Sequence, residues 1–135
     1  MAWACYQLGR ACLLLGRLDE AQRLGDRALA SSPRHPGFAA HALHLLGDIA
    51  THPDRFDAES GEAQYRQALA LAEPRGMGPL VAHCHRGLGT LYAATGQREP
   101  ARAALSAAIA LYRAMDMTFW LLQAEAALAQ VEGQA

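Results

Sequence analysis

His41, His44 and Asp48 are spaced three and four residues apart, which puts side chains on one face of a helix. With His83 from a later segment they would offer three imidazoles and a carboxylate, a donor set suited to zinc. Imidazoles also titrate near neutrality, so pH sensing is a second chemistry open to the same residues. A groove between helices is open to water, however, and such clusters are mostly coincidental. The expectation is therefore no metal and no cofactor. His83, Cys84 and His85 are adjacent, so they leave a helix in different directions. Cys84 is expected to be an inert thiol, and His85 to be buried. No Ser-His-Asp arrangement can be argued. The chain lacks lysine altogether, so no phosphate-binding GxxxxGK[ST] loop is possible. These readings predict a protein that is not an enzyme.

The elements that must position these residues are helical. Ala and Leu dominate the 135 residues and β-branched residues are few, a composition that favours helix. The length fits one domain, 1–135. Twelve arginines against thirteen acidic residues give a net charge of -1. That near-neutral balance speaks against nucleic acid, which calls for a basic stripe. The arginine-only usage reads as coding bias. Three cysteines, Cys5, Cys12 and Cys84, show no CxxC spacing, which suits a reducing cytoplasm better than a disulfide framework. The N-terminus has no basic segment ahead of an apolar run, so no secretory signal is expected. No stretch approaches the roughly 18 uncharged apolar residues of a membrane span.

The organising feature is an internal repeat. Three segments align on Leu8-Gly9, Leu46-Gly47 and Leu88-Gly89. Beyond the first and third pairs come Gly16 or Gly96, then Ala21 or Ala101, then Ala28 or Ala108, and Pro33 closes the first unit. The second unit is looser, with Ala50, Tyr65 and Ala68, about two extra residues in THPDRFDAESG, and Gly61 at the small position. This spacing resembles the tetratricopeptide (TPR) pattern, W-x2-L-G-x2-Y followed by A-x3-F, A and P. Small residues at the Gly and Ala positions let paired helices approach closely, while Leu46, Tyr65, Leu88 and Tyr92 fill the seam. The predicted helices cover about 2–15, 18–31, 37–51, 58–73, 78–95, 98–114 and 117–132. Repeats fall at about 2–35, 40–74 and 82–115, with 117–132 as a capping helix. The expected fold is all-α, an α-α superhelix of three hairpins and a cap. No capping residue precedes helix 1. From this a fragment of a longer protein, or a face covered by a second copy, is expected.

The segment Arg75 to Leu128 carries a narrower resemblance. GMGPLVAHCHRGLG at 76–89, LYRAMDMTFW at 111–120 and EAQYRQALALAE at 62–73 look like the C-terminal repeats of bacterial signalling proteins. Those proteins join a class III nucleotide cyclase, an AAA-type ATPase and a TPR tail. The family usually has Arg where Gly78 and Thr118 stand and an apolar residue where Arg86 stands. The resemblance implies a tail that binds partners or regulates attached domains.

In TPR proteins the concave face is lined by positions 2, 5, 9 and 12 of each first helix. The resemblance maps these to Trp3, Tyr6, Arg10 and Leu13, then His41, His44, Asp48 and Thr51, then His83, Arg86, Thr90 and Ala93. Arg10 and Arg86 could each hold a carboxylate through two parallel hydrogen bonds. The alternatives are packing of Trp3 and Tyr6 on a preceding repeat, and solvated arginines. The Lys/Asn clamp of chaperone-tail-binding relatives is absent. The expected function is a protein-binding scaffold in bacterial signalling that takes a protein or peptide partner. Self-association through the uncapped N-terminal end is the second expectation, and a His-cluster ligand site the third.

Overall fold

The computed structural model describes residues 2–133, and the described residues form seven α-helices and no strand. They are α1 Ala2–Leu14, α2 Leu18–Ala30, α3 Pro36–Ala50, α4 Ala58–Ala72, α5 Gly78–Ala94, α6 Arg98–Ala114 and α7 Thr118–Gly133. Every predicted helix boundary lies within one residue of the observed one. The extra residues before α4 form a 3-10 turn, Pro53–Arg55. Asp57 then caps α4 by accepting a 3.1 Å hydrogen bond from the Ser60 amide.

Helix ends are set by local chemistry. Gly16 and Gly96 both take φ +76°, as a residue just past a helix end does. At each site the two flanking amides reach back to the last turn. Gly96 N–H donates to the Ala93 carbonyl (3.2 Å) and Gln97 N–H to that of Tyr92 (2.8 Å). Asp116 makes the same closure after α6 at φ +53°. Pro100 lies in the first turn of α6, where a missing N–H removes no bond.

The packing falls into two compact units, Met1–Gly76 and Met77–Ala135. In the first, α1 pairs with α2 and α3 with α4, while α3 packs on α2 and alongside α1. Its core gathers Ala21, Leu45, Leu46 and Ile49, with Cys5, Ala28 and Ala42 beside them. In the second, α5 pairs with α6 and α7 packs on α6. Ala82, Ala108, Ile109, Tyr112 and Ala124 form its core, with Trp120, Leu121 and Leu128 against it.

The repeat's small residues do what their spacing requires. Ala21, Ala28, Ala68, Ala101 and Ala108 are fully or almost fully buried, and Gly61 is buried in the same place. A Cβ on Gly47 would lie 2.7 Å from the Tyr65 ring, and one on Gly89 only 2.5 Å from Leu105 Cγ. Leu46 and Leu88 are buried at 2% and 4% exposure, but Leu8 of the first pair is 57% exposed. The face of α1 that carries Leu8 also presents Ala4, Ala11 and, just past its end, Leu15, all exposed. At the other end, α7 covers α6 through Ala124, but its outer face carries Phe119, Leu122 and Ala126, also exposed. That stripe is more apolar than the polar outer face usual for a terminal solenoid helix.

Because the α5–α6 seam closes on a bare backbone, Gly89→Ala is expected to destabilise the protein by about 1–3 kcal/mol. The Leu105 amide nitrogen would sit 3.2 Å from the new methyl, so side-chain repacking alone cannot relieve it. Urea unfolding followed by circular dichroism checks this, and an unchanged midpoint would contradict it.

Candidate functional site

The predicted stripe of the first unit is a connected cluster. α1 places Trp3, Tyr6 and Arg10 one turn apart, and α3, running beside it, places His41, His44 and Asp48 the same way. Trp3 stacks on Tyr6 with centroids 5.0 Å apart, and meets the His41 ring edge-on at 5.5 Å. Phe38, one turn before His41, extends this aromatic surface at 6.0 Å from Trp3. Trp3 and Phe38 remain exposed. Trp3 and Tyr6 therefore pack toward α3, within their own unit.

Arg10 is the hub of this cluster. Its Nη1 donates to Asp48 Oδ2 at 2.5 Å, its Nη2 to His44 Nδ1 at 2.5 Å, and its Nε to the Tyr6 hydroxyl at 3.2 Å. The guanidinium also lies 5.5 Å from the Tyr6 ring centre. Asp48 is held from its other side by the Tyr65 hydroxyl, which donates to Oδ1 at 2.5 Å. Thr51 turns its hydroxyl back to its own helix and lies 3.3 Å from that of Tyr65.

The electrostatics follow from this geometry. Burial works against the Asp48 charge, but His44, then Arg10, then the Tyr65 hydrogen bond outweigh it and pull its pKa down to about 2. Burial likewise works against the Arg10 cation, and the Asp48 charge followed by Tyr6 more than offsets it, so its pKa is raised. Burial first, and Arg10 second, lower that of His41.

Arg10, which could hold a partner's carboxylate, is paired with Asp48 of its own unit. His44 is buried, and Leu13 packs into the Ala21–Leu45–Ile49 core rather than lining an open face. Of the first eight stripe positions, Trp3 is the most open to a partner and His41 is half-buried. Among the described residues no group of three His, Cys, Asp or Glu side chains could hold a metal. His85, expected to be buried, is half-buried; it is Cys84 beside it that points into the core.

The second unit assembles a different cluster. His83 Nδ1 lies 2.6 Å from the Tyr112 hydroxyl, and Arg86 Nε donates to the same oxygen at 3.3 Å. Trp120 of α7 takes the His83 ring edge-on at 4.9 Å and the Arg86 guanidinium over its face at 4.9 Å. Thr90, exposed, donates its hydroxyl to the Arg86 carbonyl at 2.8 Å. Ala93 carries no polar group. Sequence reasoning missed Tyr112 and Trp120 here, and Phe38 and Tyr65 in the first cluster. Phe38 was findable, since it precedes His41 by three residues on the same stripe.

Comparison with known proteins agrees with the hairpin geometry. The tetratricopeptide repeat family matches residues 2–35, the first predicted repeat. No curated protein matches the chain. Among solved structures, the apo form of RapI superposes with a TM-score of 0.88 at 15% identity, over 98% of this chain and 48% of that one. This chain thus spans about half the length of RapI. At that identity the likeness is one of fold, and the fold is all-α, a TPR-like α-α superhelix. Among the described residues no helix is long and apolar enough to cross a membrane.

Asp48 ties two hairpins together, so Asp48→Asn should cost about 2–3 kcal/mol of stability at pH 7. The folded pKa is depressed, so the contribution is complete above about pH 4 and is lost as the pH falls toward 2. Urea midpoints of the two proteins should therefore converge between those pH values. A gap that stays constant down to pH 2 would contradict the assignment.

Proposed function

We propose that this chain is a non-catalytic protein-binding scaffold that takes a peptide or helix on the stripe lined by the first helix of each repeat. The observation that carries the reading is what that stripe displays. Trp3 and Phe38 on one unit, and His83 and Arg86 on the other with Trp120 of α7 beside them, are partly exposed aromatic, imidazole and guanidinium groups on well-packed helices. Aromatic and arginine side chains held this way lose little entropy when a partner lands on them, and these types dominate binding hot spots. The TPR match over 2–35 and the fold support the same reading. The resemblance of 75–128 to cyclase–ATPase tails supports a setting in bacterial cytoplasmic signalling, with attachment to upstream domains.

The reading is tested by selecting peptides from a displayed library on the wild-type chain and measuring them by calorimetry. Trp3→Ala and Arg86→Ala should each weaken selected peptides about tenfold or more, with circular dichroism unchanged. Selected peptides indifferent to both changes would place recognition elsewhere.

A second reading is favoured by one observation. Leu8, Leu15 and Ala11 leave α1 with an exposed apolar face, which another copy of the chain could cover. If so, light scattering should give a dimer that Leu8→Glu converts to monomer. A wild-type monomer at high concentration would end this reading.

A further inference from the structure

The two units treat their stripe arginines differently, and the difference points to the partner's chemistry. Arg10 meets a carboxylate of the chain itself, because Asp48 follows directly on the Leu46-Gly47 pair. The residue at that place in α5, directly after Leu88-Gly89, is Thr90. Its hydroxyl is turned to its own helix backbone and carries no charge. Arg86 has its Nε on Tyr112 and its face on Trp120, and among the described residues no ion pair or hydrogen bond engages its Nη groups.

Most other charges of the unit are already committed. Arg113 pairs with Glu125, Arg102 lies within reach of both Glu99 and Glu132, and Arg98 donates to the Glu132 carbonyl. Asp116 sits in the turn between α6 and α7. Arg86 is thus a guanidinium fixed by stacking and one hydrogen bond, its forked end unmatched by an anion. A planar fork pre-organised in this way suits one partner group above others, a carboxylate accepting two parallel hydrogen bonds.

We propose that Arg86 receives a carboxylate from the bound partner, so that the recognised segment carries Asp, Glu or a free C-terminus where it crosses α5 and α7. Trp120 supplies the apolar floor beside that carboxylate, and Tyr112 and His83 fix the guanidinium's orientation. The first unit needs no such group, because Asp48 already fills the equivalent role. The proposal rests on the scaffold reading and adds to it the chemistry of the ligand.

The test is a hexapeptide array with every residue type at every position, free and amidated at the C-terminus. It is probed with the whole chain as wild type, Arg86→Gln and Thr90→Asp. Thr90 is exposed and its change should leave the fold intact; circular dichroism checks both variants. The Thr90→Asp carboxylate would stand one helical turn from Arg86 and imitate Asp48. Wild-type signal should concentrate on carboxylate-bearing peptides and fall about tenfold when Glu becomes Gln or the terminus is amidated. Arg86→Gln and Thr90→Asp should each remove that preference. Peptide binding that is indifferent to the carboxylate and to both variants would overturn the proposal and leave the scaffold reading standing. Absence of binding by any peptide would overturn the two together.

Discussion

Gly47 lacks a Cβ, and the Tyr65 ring occupies the space a methyl would need, 2.7 Å from where that carbon would be. That contact sets how closely α3 and α4 approach, and the polar structure of the first unit depends on it. With the ring seated there, the Tyr65 hydroxyl reaches Asp48; Asp48 in turn reaches across to Arg10 on α1. A seam made for packing thereby fixes a carboxylate that links two hairpins. A larger residue at 47 would displace the ring and leave a partly buried carboxylate short of a donor, which is costly in a low-dielectric setting.

The same seam in the second unit has a different consequence. Gly89 closes on Leu105, an aliphatic side chain with no hydroxyl to offer. The polar group on α6 comes about two turns later, as Tyr112, and it serves His83 and Arg86 rather than an internal carboxylate. The two units therefore share a backbone plan but differ in charge bookkeeping. One neutralises its guanidinium internally. The other leaves a guanidinium stacked on an aromatic face with its fork unmatched. A self-satisfied network adds rigidity, whereas an oriented and unmatched cation is equipped for recognition.

The apolar surfaces at α1 and α7 follow from the way hairpins stack. A repeat of this kind buries its hydrophobic side only against a neighbour. Leu46 has that neighbour in α2, while Leu8 has none among the described residues, though both hold the same place in the repeat. Phe119 and Leu122 on α7 are exposed for the same reason. Exposure here reports position in the stack, not a difference in residue type.

The sequence by itself determined the helices and their pairing. Helix boundaries were legible because they depend on local chemistry: glycines that adopt positive φ, prolines in first turns, and a small-residue spacing that recurs from repeat to repeat. The stripe positions were legible as well, since helical period alone places Trp3, Tyr6 and Arg10, or His83 and Arg86, on one face. Which of those side chains are available was decided only in three dimensions. Arg10 and Arg86 look alike in sequence, yet one is claimed by Asp48 and Tyr6 and the other by Trp120 and Tyr112. Asp48, Trp120 and Tyr112 come from other helices, at separations that no local pattern encodes. The physical reason is that an ion pair or a stacked ring depends on the distance between side chains of different helices, and only tertiary packing sets that distance.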